Sequence, residues 1–110
     1  MISKTDQRII TSMIDKINRL LEIREKHSEE EIHNEYVLSD AIQYEFEKLY
    51  EDSTKLSMEL RMNNKDLHID YLRAIRNRVA HDYESVSLNI LLDTIDKDLP
   101  GLKTLLQSVL

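Results

Sequence analysis

Residues 71–83, with the sequence YLRAIRNRVAHDY, carry a clear helical pattern and a concentrated patch of positive charge. The patch consists of three arginines, with one histidine and one aspartate close by. Around them, apolar residues recur three and four positions apart, the spacing of one face of a helix, at Ile69, Leu72, Ile75 and Val79. The pattern predicts a helix over residues 67–81 whose apolar stripe faces a core. Taken alone, the spacing favours a bland interpretation, in which the three arginines between the stripe residues form a solvated face.

The rest of the chain also favours helices. It has one glycine, one proline and 33% charged residues, so it lacks the turn-forming residues that a sheet requires. A first helix is predicted over residues 5–26, with an apolar stripe at Ile10, Met13, Ile14, Ile17, Leu20 and Leu21. Ser28 and Glu31 have the spacing of a capping box. A second long helix is predicted from residue 29 or 34 to 61, with inward residues Val37, Leu38, Ile42, Phe46, Leu49, Leu56 and Leu60.

Residues 62–66, which include two asparagines, form the clearest predicted break before the helix over 67–81. Ser87 is predicted to cap a fourth helix that continues to Leu99. Pro100 and Gly101 are predicted to end it, and a short fifth helix follows over residues 102–109. The prediction is an all-α, antiparallel bundle of four to five helices, with residues 1–110 forming a single domain.

Composition also restricts the classes of function. The chain has no cysteine, and no apolar run approaches the length of a membrane span, so we expect a soluble cytoplasmic protein without a membrane partner. The formal net charge of -6 argues mildly against broad nucleic-acid binding. It leaves room for a local site, because the field in a cleft depends on the charges nearby. A single glycine provides no phosphate-binding loop, so no nucleotide cofactor is predicted.

The pair Arg76 and His81 combines a group that can bind phosphate with a group that can transfer protons. Histidine can transfer protons near neutral pH, and the planar fork of arginine can donate two hydrogen bonds to phosphate. On a continuous helix, residues five apart diverge by about 140°. Either the helix ends near His81, or the histidine faces a different neighbour from the arginine.

The segment Arg76-Asn77-Arg78-Val79-Ala80-His81-Asp82-Tyr83 resembles the Arg-x-x-x-x-His-x-Tyr motif of HEPN domains, and in particular the HepT-like toxins. Weaker similarities lie upstream, in residues 49–57, and downstream, in Leu99-Pro100-Gly101-Leu102, so the resemblance runs from about residue 39 to the C-terminus. Tyr50 departs from the family pattern, which usually has glycine there, and packing around that helix is expected to differ.

The resemblance implies a HEPN-like homodimer whose cleft cleaves RNA without a metal, as the toxin of a toxin–antitoxin pair. His81 would then be the acid and base and Arg76 the phosphate-binding group. Asn77 would orient the pair, and Glu51 would hold Arg76 or another group of the site. The partner would be a nucleotidyltransferase antitoxin that adenylylates Tyr83. Arg73 and Arg78 are added as RNA-binding residues on their charge alone.

The same residues are compatible with other functions. The motif could instead be a docking surface on a non-catalytic helical subunit that partners a nucleotidyltransferase, and Tyr83 could be a packed ring with a hydrogen-bonded hydroxyl. Glu30 and His33 have the i, i+3 spacing of metal sites in helical bundles, but no second copy of the pattern occurs. No metal site is therefore predicted.

Overall fold

The structure, a computed structural model, describes residues 2–81 and 84–110, and within these ranges all side chains except those of residues 81, 84 and 85. In the described ranges the chain forms seven α-helices and one short 3-10 helix, Lys65–Leu67, and no strand. The α-helices are α1 (Lys4–Lys26), α2 (Glu29–Asn34), α3 (Tyr36–Thr54), α4 (Met58–Asn63), α5 (Ile69–His81), α6 (Glu84–Lys97) and α7 (Leu99–Val109). The predicted all-α bundle is confirmed, and the homodimer stays a prediction.

Helix α1 begins and ends as its sequence predicts. The hydroxyl oxygen of Ser3 accepts a hydrogen bond from the Asp6 N–H at 3.0 Å, which satisfies one of the free donors of the first turn. Four residues of the predicted stripe are fully buried: Ile10, Met13, Ile17 and Leu20. The capping box of Ser28 and Glu31 is also confirmed, at the start of α2.

The predicted second long helix is wrong, because the chain divides there into α2, α3 and α4. At the junction of α3 and α4, the Arg61 guanidinium donates to the Ser53 carbonyl at 2.6 Å. The Ser57 hydroxyl oxygen accepts from the Leu60 N–H at 3.1 Å. A carbonyl near the end of α3 and an N–H group in the first turn of α4 are therefore hydrogen-bonded to side chains, which compensates for the interruption of the helix. The two additional breaks account for seven helices where four to five are predicted.

One residue near the start of α3 does not face the core as predicted. The prediction that Val37 faces inward is wrong, since its side chain is 63% exposed. It lies two residues before the buried Ser39, which on a helix is a rotation of about 200°. The later inward positions of α3 are confirmed, because Ile42, Phe46 and Leu49 are buried.

A buried carboxylate joins the start of α1 to the start of α4. Asp6 is 4% exposed and accepts hydrogen bonds from the Ser57 N–H at 3.0 Å and from the Ser57 hydroxyl at 2.5 Å. Burial raises the pKa of Asp6, but the hydrogen bonds from Ser57 outweigh that effect and leave the pKa below its ordinary value. The carboxylate is therefore a charged structural element of the fold.

The break predicted at residues 62–66 is confirmed, because α4 ends at Asn63 and the 3-10 helix follows. His68, with a left-handed φ of 50°, then leads into α5, and its carbonyl accepts the Tyr71 N–H at 2.9 Å. Helix α5 begins at Ile69, two residues later than predicted, and its bounds extend to His81.

Two predictions about the last helices are wrong. Helix α6 begins at Glu84, so Ser87 lies within it and does not cap it; its hydroxyl donates to the Val79 carbonyl of α5 at 2.8 Å. Pro100 and Gly101 lie in the first turn of α7. Proline is tolerated there because the first N–H groups of a helix have no intrahelical partner.

The core lies between α1, α3, α5, α6 and α7, and the buried residues of the last three helices include Leu72, Leu91, Ile95, Leu99 and Leu106. Among the described residues, no helix combines the length and the apolar character needed to cross a membrane. Helix α5 packs against α3 on one side and α6 on the other. This packing places Arg76 beside α3.

Candidate active site

Helix α5 buries one narrow stripe, and its other described side chains, within residues 69–80, are exposed. Ile69, Leu72 and Ile75 are buried and Val79 is half-buried, as the spacing predicts. The side chains of Arg73, Arg76, Asn77 and Arg78 are all exposed. The structure therefore exposes all three arginines to solvent, with Arg76 and Arg78, two positions apart, separated by a rotation of about 200° around the helix.

Arg76 is the arginine of this helix with contacts to α3. Its Nε lies 3.8 Å from Oε1 of Glu47, and the two side chains are 43% and 44% exposed. Its guanidinium carbon lies 5.3 Å from the centre of the Tyr50 ring, within the range of a cation–π contact. Its Nη1 donates to Oδ1 of Asn77 at 3.4 Å, a long hydrogen bond. Arg76 is thus held from two directions while it stays accessible to solvent.

A shallow cavity of about 330 Å³ opens beside Arg76, between α3, α5 and α6. Its lining combines apolar and polar residues, namely Gln43, Phe46, Glu47, Arg76, Val79, Ala80 and Leu91. Phe46 and Leu91 are buried, so part of the lining belongs to the packed core. The guanidinium therefore stands at the edge of a depression that a small group could enter.

The acid beside Arg76 is Glu47, and the structure does not bring Glu51 to this arginine. Glu51 pairs with Lys48, whose Nζ lies 3.3 Å from Oε2 of Glu51. Glu51 follows Glu47 by one turn of α3, so the two acids lie on the same side of the helix. A role for Glu51 toward another group of the site stays a prediction.

Sequence analysis does not single out Glu47 or Tyr50 as site residues. Their spacing, i and i+3 on α3, places both on one face of that helix. That they face Arg76 depends on how α3 crosses α5, which neither helix pattern specifies. In the sequence, Tyr50 stands out only as a departure from a family pattern. In the structure its ring is half-buried against the core, and the Arg76 guanidinium carbon lies over the ring.

Two predicted site residues lie outside what the structure describes. His81 is the last residue of α5, and the structure describes its backbone but not its side chain. Tyr83 lies wholly outside them. The catalytic role of His81 and the modification of Tyr83 stay predictions. What the structure supplies is the placement of Arg73, Arg76, Asn77 and Arg78.

The histidine considered for a metal site has another partner. His33 lies on α2, and its Nε2 is 2.7 Å from Oδ1 of Asn89 on α6. Its Nε2 is also 4.0 Å from Oε1 of Glu29. Among the described residues, no group of three or more acidic or histidine side chains is close enough to hold a metal ion.

The described residues form an all-α bundle in which the arginine-bearing helix α5 contacts both α3 and α6. The family model Ribonuclease HepT-like matches residues 13–109, which is nearly the whole chain. The chain therefore belongs to the HepT-like ribonuclease family, for which RNA is the substrate. No solved structure matches the chain.

Proposed function

We propose that this protein is a metal-independent endoribonuclease that acts in the cytoplasm as the toxin of a toxin–antitoxin pair. The proposal rests on the contacts and the exposure of Arg76. This arginine is held by Glu47 and Tyr50 on an exposed helix face, five residues before His81, in a chain of the HepT-like ribonuclease family. Family membership supports ribonuclease activity, and the geometry of Arg76 supports a phosphate-binding role.

The reaction has one bond forming and one bond breaking. A base takes the proton of the 2'-hydroxyl, O2' attacks phosphorus, and the P–O5' bond breaks while an acid supplies a proton to O5'. In this proposal His81 performs the proton transfers, because an imidazole can give and take protons near neutral pH. Arg76 stabilises the charge that develops on the phosphoryl oxygens, and Asn77, hydrogen-bonded to it, helps to orient it.

A homodimer would supply two copies of each group to one cleft. One His81 could then act as the base and the other as the acid. Two copies of the exposed α5 arginines would also concentrate positive potential in a chain whose net charge is -6. Arg73 and Arg78 are proposed to follow the RNA backbone on either side of the reacting phosphate.

Tyr83 is proposed to be the control point of the toxin. A partner nucleotidyltransferase antitoxin would attach AMP to its hydroxyl, two residues from His81. The added phosphate and nucleoside would bring negative charge and bulk to the place where RNA phosphate must bind. This modification would switch the nuclease off without unfolding it.

The test compares growth and RNA integrity after induction of the wild type, His81→Ala and Arg76→Ala. Matched controls are His27→Ala and Arg8→Ala, which remove the same residue types from places far along the chain from α5. We expect the wild type and both controls to arrest growth and degrade RNA, with cleavage by the purified protein unaffected by EDTA. We expect His81→Ala and Arg76→Ala to do neither, while light scattering shows that they keep the size of the wild type.

If all five proteins are equally harmless and leave RNA intact without any antitoxin, the nuclease proposal fails. The motif would then be a docking surface of a non-catalytic subunit. Cleavage that requires a divalent ion would contradict the metal-independent mechanism alone. Mass spectrometry of the protein expressed with a neighbouring nucleotidyltransferase would test whether Tyr83 gains AMP.

A further inference from the structure

Tyr50 and Glu47 contact Arg76 in physically different ways. Glu47 is a charged partner, with its Oε1 3.8 Å from the Arg76 Nε. Tyr50 presents its ring to the guanidinium, with 5.3 Å between the guanidinium carbon and the ring centre. The Tyr50 ring is half-buried and packs against the core, so the fold restricts its movement.

The chemistry of these contacts matters for a group that must bind phosphate. A carboxylate that binds the N–H donors of a guanidinium competes with phosphate for the same donors and offsets its positive charge. An aromatic ring attracts the cation but carries no formal charge. Tyr50 can therefore restrict the long Arg76 side chain without neutralising the charge that RNA phosphate would bind.

We propose that Tyr50 is a positioning residue of the ribonuclease site, whose ring restricts the Arg76 side chain by a cation–π contact while the guanidinium keeps its charge for the substrate phosphate. The inference rests on the proposed function for the identity of the substrate. The contact itself depends only on the fold. Tyr50 is not a catalytic residue in this proposal, because it acts through Arg76.

Helix α3 offers a matched control for this contact. Lys48 Nζ lies 5.4 Å from the centre of the Tyr44 ring, a cation–π contact of similar distance on the same helix. Tyr44 is 60% exposed and its contact does not involve Arg76. Replacement of Tyr44 therefore removes a similar contact from the same helix without removing support from the guanidinium.

The experiment compares Tyr50→Phe, Tyr50→Leu and Tyr44→Leu with the wild type. The first measurement is the Arg76 Nε–H signal in a proton–nitrogen spectrum, assigned by its disappearance in Arg76→Lys. Aromatic rings shift the signals of protons near their faces, so Tyr50→Leu should move this signal, whereas Tyr50→Phe and Tyr44→Leu should leave it close to its wild-type position. This measurement requires no ribonuclease activity.

The second measurement is cleavage of a fluorescein-labelled single-stranded RNA that contains all four bases. Tyr50→Leu should lower kcat by about two- to fivefold, the range of an exposed cation–π contact. It should change KM less, because the loss concerns charge stabilisation in the transition state. Tyr50→Phe should retain kcat, since it keeps the ring, and Tyr44→Leu should match the wild type. If Tyr50→Leu does not melt cooperatively, Tyr50→Met takes its place.

The proposal is overturned if Tyr50→Leu keeps both the wild-type Arg76 signal and the wild-type kcat. It is also overturned if Tyr50→Phe loses as much activity as Tyr50→Leu, because the hydroxyl would then be the important group. If the wild type cleaves no RNA, the proposed function fails, and the Arg76 signal alone decides whether Tyr50 positions this arginine. The two failures are therefore distinguishable.

Discussion

Replacement of Asp6 by asparagine should destabilise the whole bundle, although Asp6 is far along the chain from α5. The carboxylate is 4% exposed and accepts two hydrogen bonds from Ser57, at 3.0 and 2.5 Å. Asparagine can keep its carbonyl oxygen on the Ser57 N–H, but its NH₂ group then faces the Ser57 hydroxyl, whose O–H loses its carboxylate acceptor. The loss of one hydrogen bond to a charged group should lower the free energy of unfolding by about 2 kcal/mol. In a domain of this size, that loss corresponds to about 10 °C in Tm.

The same substitution has a predicted pH dependence. The folded pKa of Asp6 lies below its ordinary value of 3.8, because the hydrogen bonds from Ser57 outweigh the opposing effect of burial. A group whose folded pKa is lowered contributes stability that is fully present above its unfolded pKa and is lost as the pH falls through the folded pKa. The difference between wild type and Asp6→Asn should therefore be constant from about pH 5 to 8 and shrink below about pH 4.

Urea unfolding followed by circular dichroism measures this difference at each pH. Asp15→Asn is the matched control, since Asp15 is an exposed aspartate on the same helix. We expect it to change the free energy of unfolding by less than about 0.5 kcal/mol. If Asp15→Asn costs as much as Asp6→Asn, or if the effect of Asp6→Asn is undiminished at pH 3, the role assigned to the Asp6 hydrogen bonds is refuted.

Three further changes test other parts of the structure. Gly101→Ala should raise the free energy of unfolding by about 0.5 kcal/mol in a urea melt, because an added Cβ meets nothing within 4 Å and alanine favours the helix. Arg73→Ala and Arg78→Ala should each reduce the slope of log affinity against log salt by about 0.7 when RNA binding is titrated, if each contacts one phosphate. Tyr71→Phe removes a hydrogen bond from the tyrosine hydroxyl to Asp98 and should cost about 0.5 kcal/mol. Since burial, and then Asp98, raise the pKa of Tyr71 above 10.0, this cost should be present below pH 10 and decline above it in urea melts.

The sequence predicts best where local pattern and tertiary packing agree. The stripe of α1 and the stripe of α5 are both confirmed, because a helix with one apolar face has only one way to bury it. The exposure of the α5 arginines follows from the same pattern, since residues between the stripe positions must face away from the core. The exposure of Arg73, Arg76 and Arg78 was therefore predictable.

The breaks and the neighbours of the site were not predictable in the same way. The end of α3 depends on Arg61 and Ser53, and the start of α4 depends on Asp6, which is 51 residues from Ser57. These are long-range or side-chain contacts that a periodicity pattern does not contain. The contact of Tyr50 with Arg76 likewise requires the crossing of two helices. Local patterns predicted which faces are open, and tertiary contacts determined which residues meet.

Comparison of two arginines shows why Arg76 is suited to bind a ligand and Arg24 is not. The Nε of Arg24 lies 3.0 and 3.2 Å from the two carboxylate oxygens of Asp96, and its Nη1 donates to the His27 carbonyl at 3.3 Å. Arg76 has longer polar contacts, 3.8 Å to Glu47 and 3.4 Å to Asn77. Its donors are therefore weakly occupied, and a phosphate can bind them without breaking a short hydrogen bond.

This difference predicts opposite effects for the same substitution at the two positions. Arg24→Ala should lower the free energy of unfolding by about 0.5 kcal/mol and leave affinity for a 2'-O-methyl RNA unchanged, because its pair is structural and partly exposed. Arg76→Ala should weaken that affinity by about tenfold, the effect of a hydrogen bond to a charged group, with little change in stability. The first measurement is a urea melt and the second is fluorescence anisotropy with labelled RNA. If Arg76→Ala instead destabilises the fold more than Arg24→Ala and leaves RNA affinity intact, then Arg76 holds α3 to α5 and does not bind RNA.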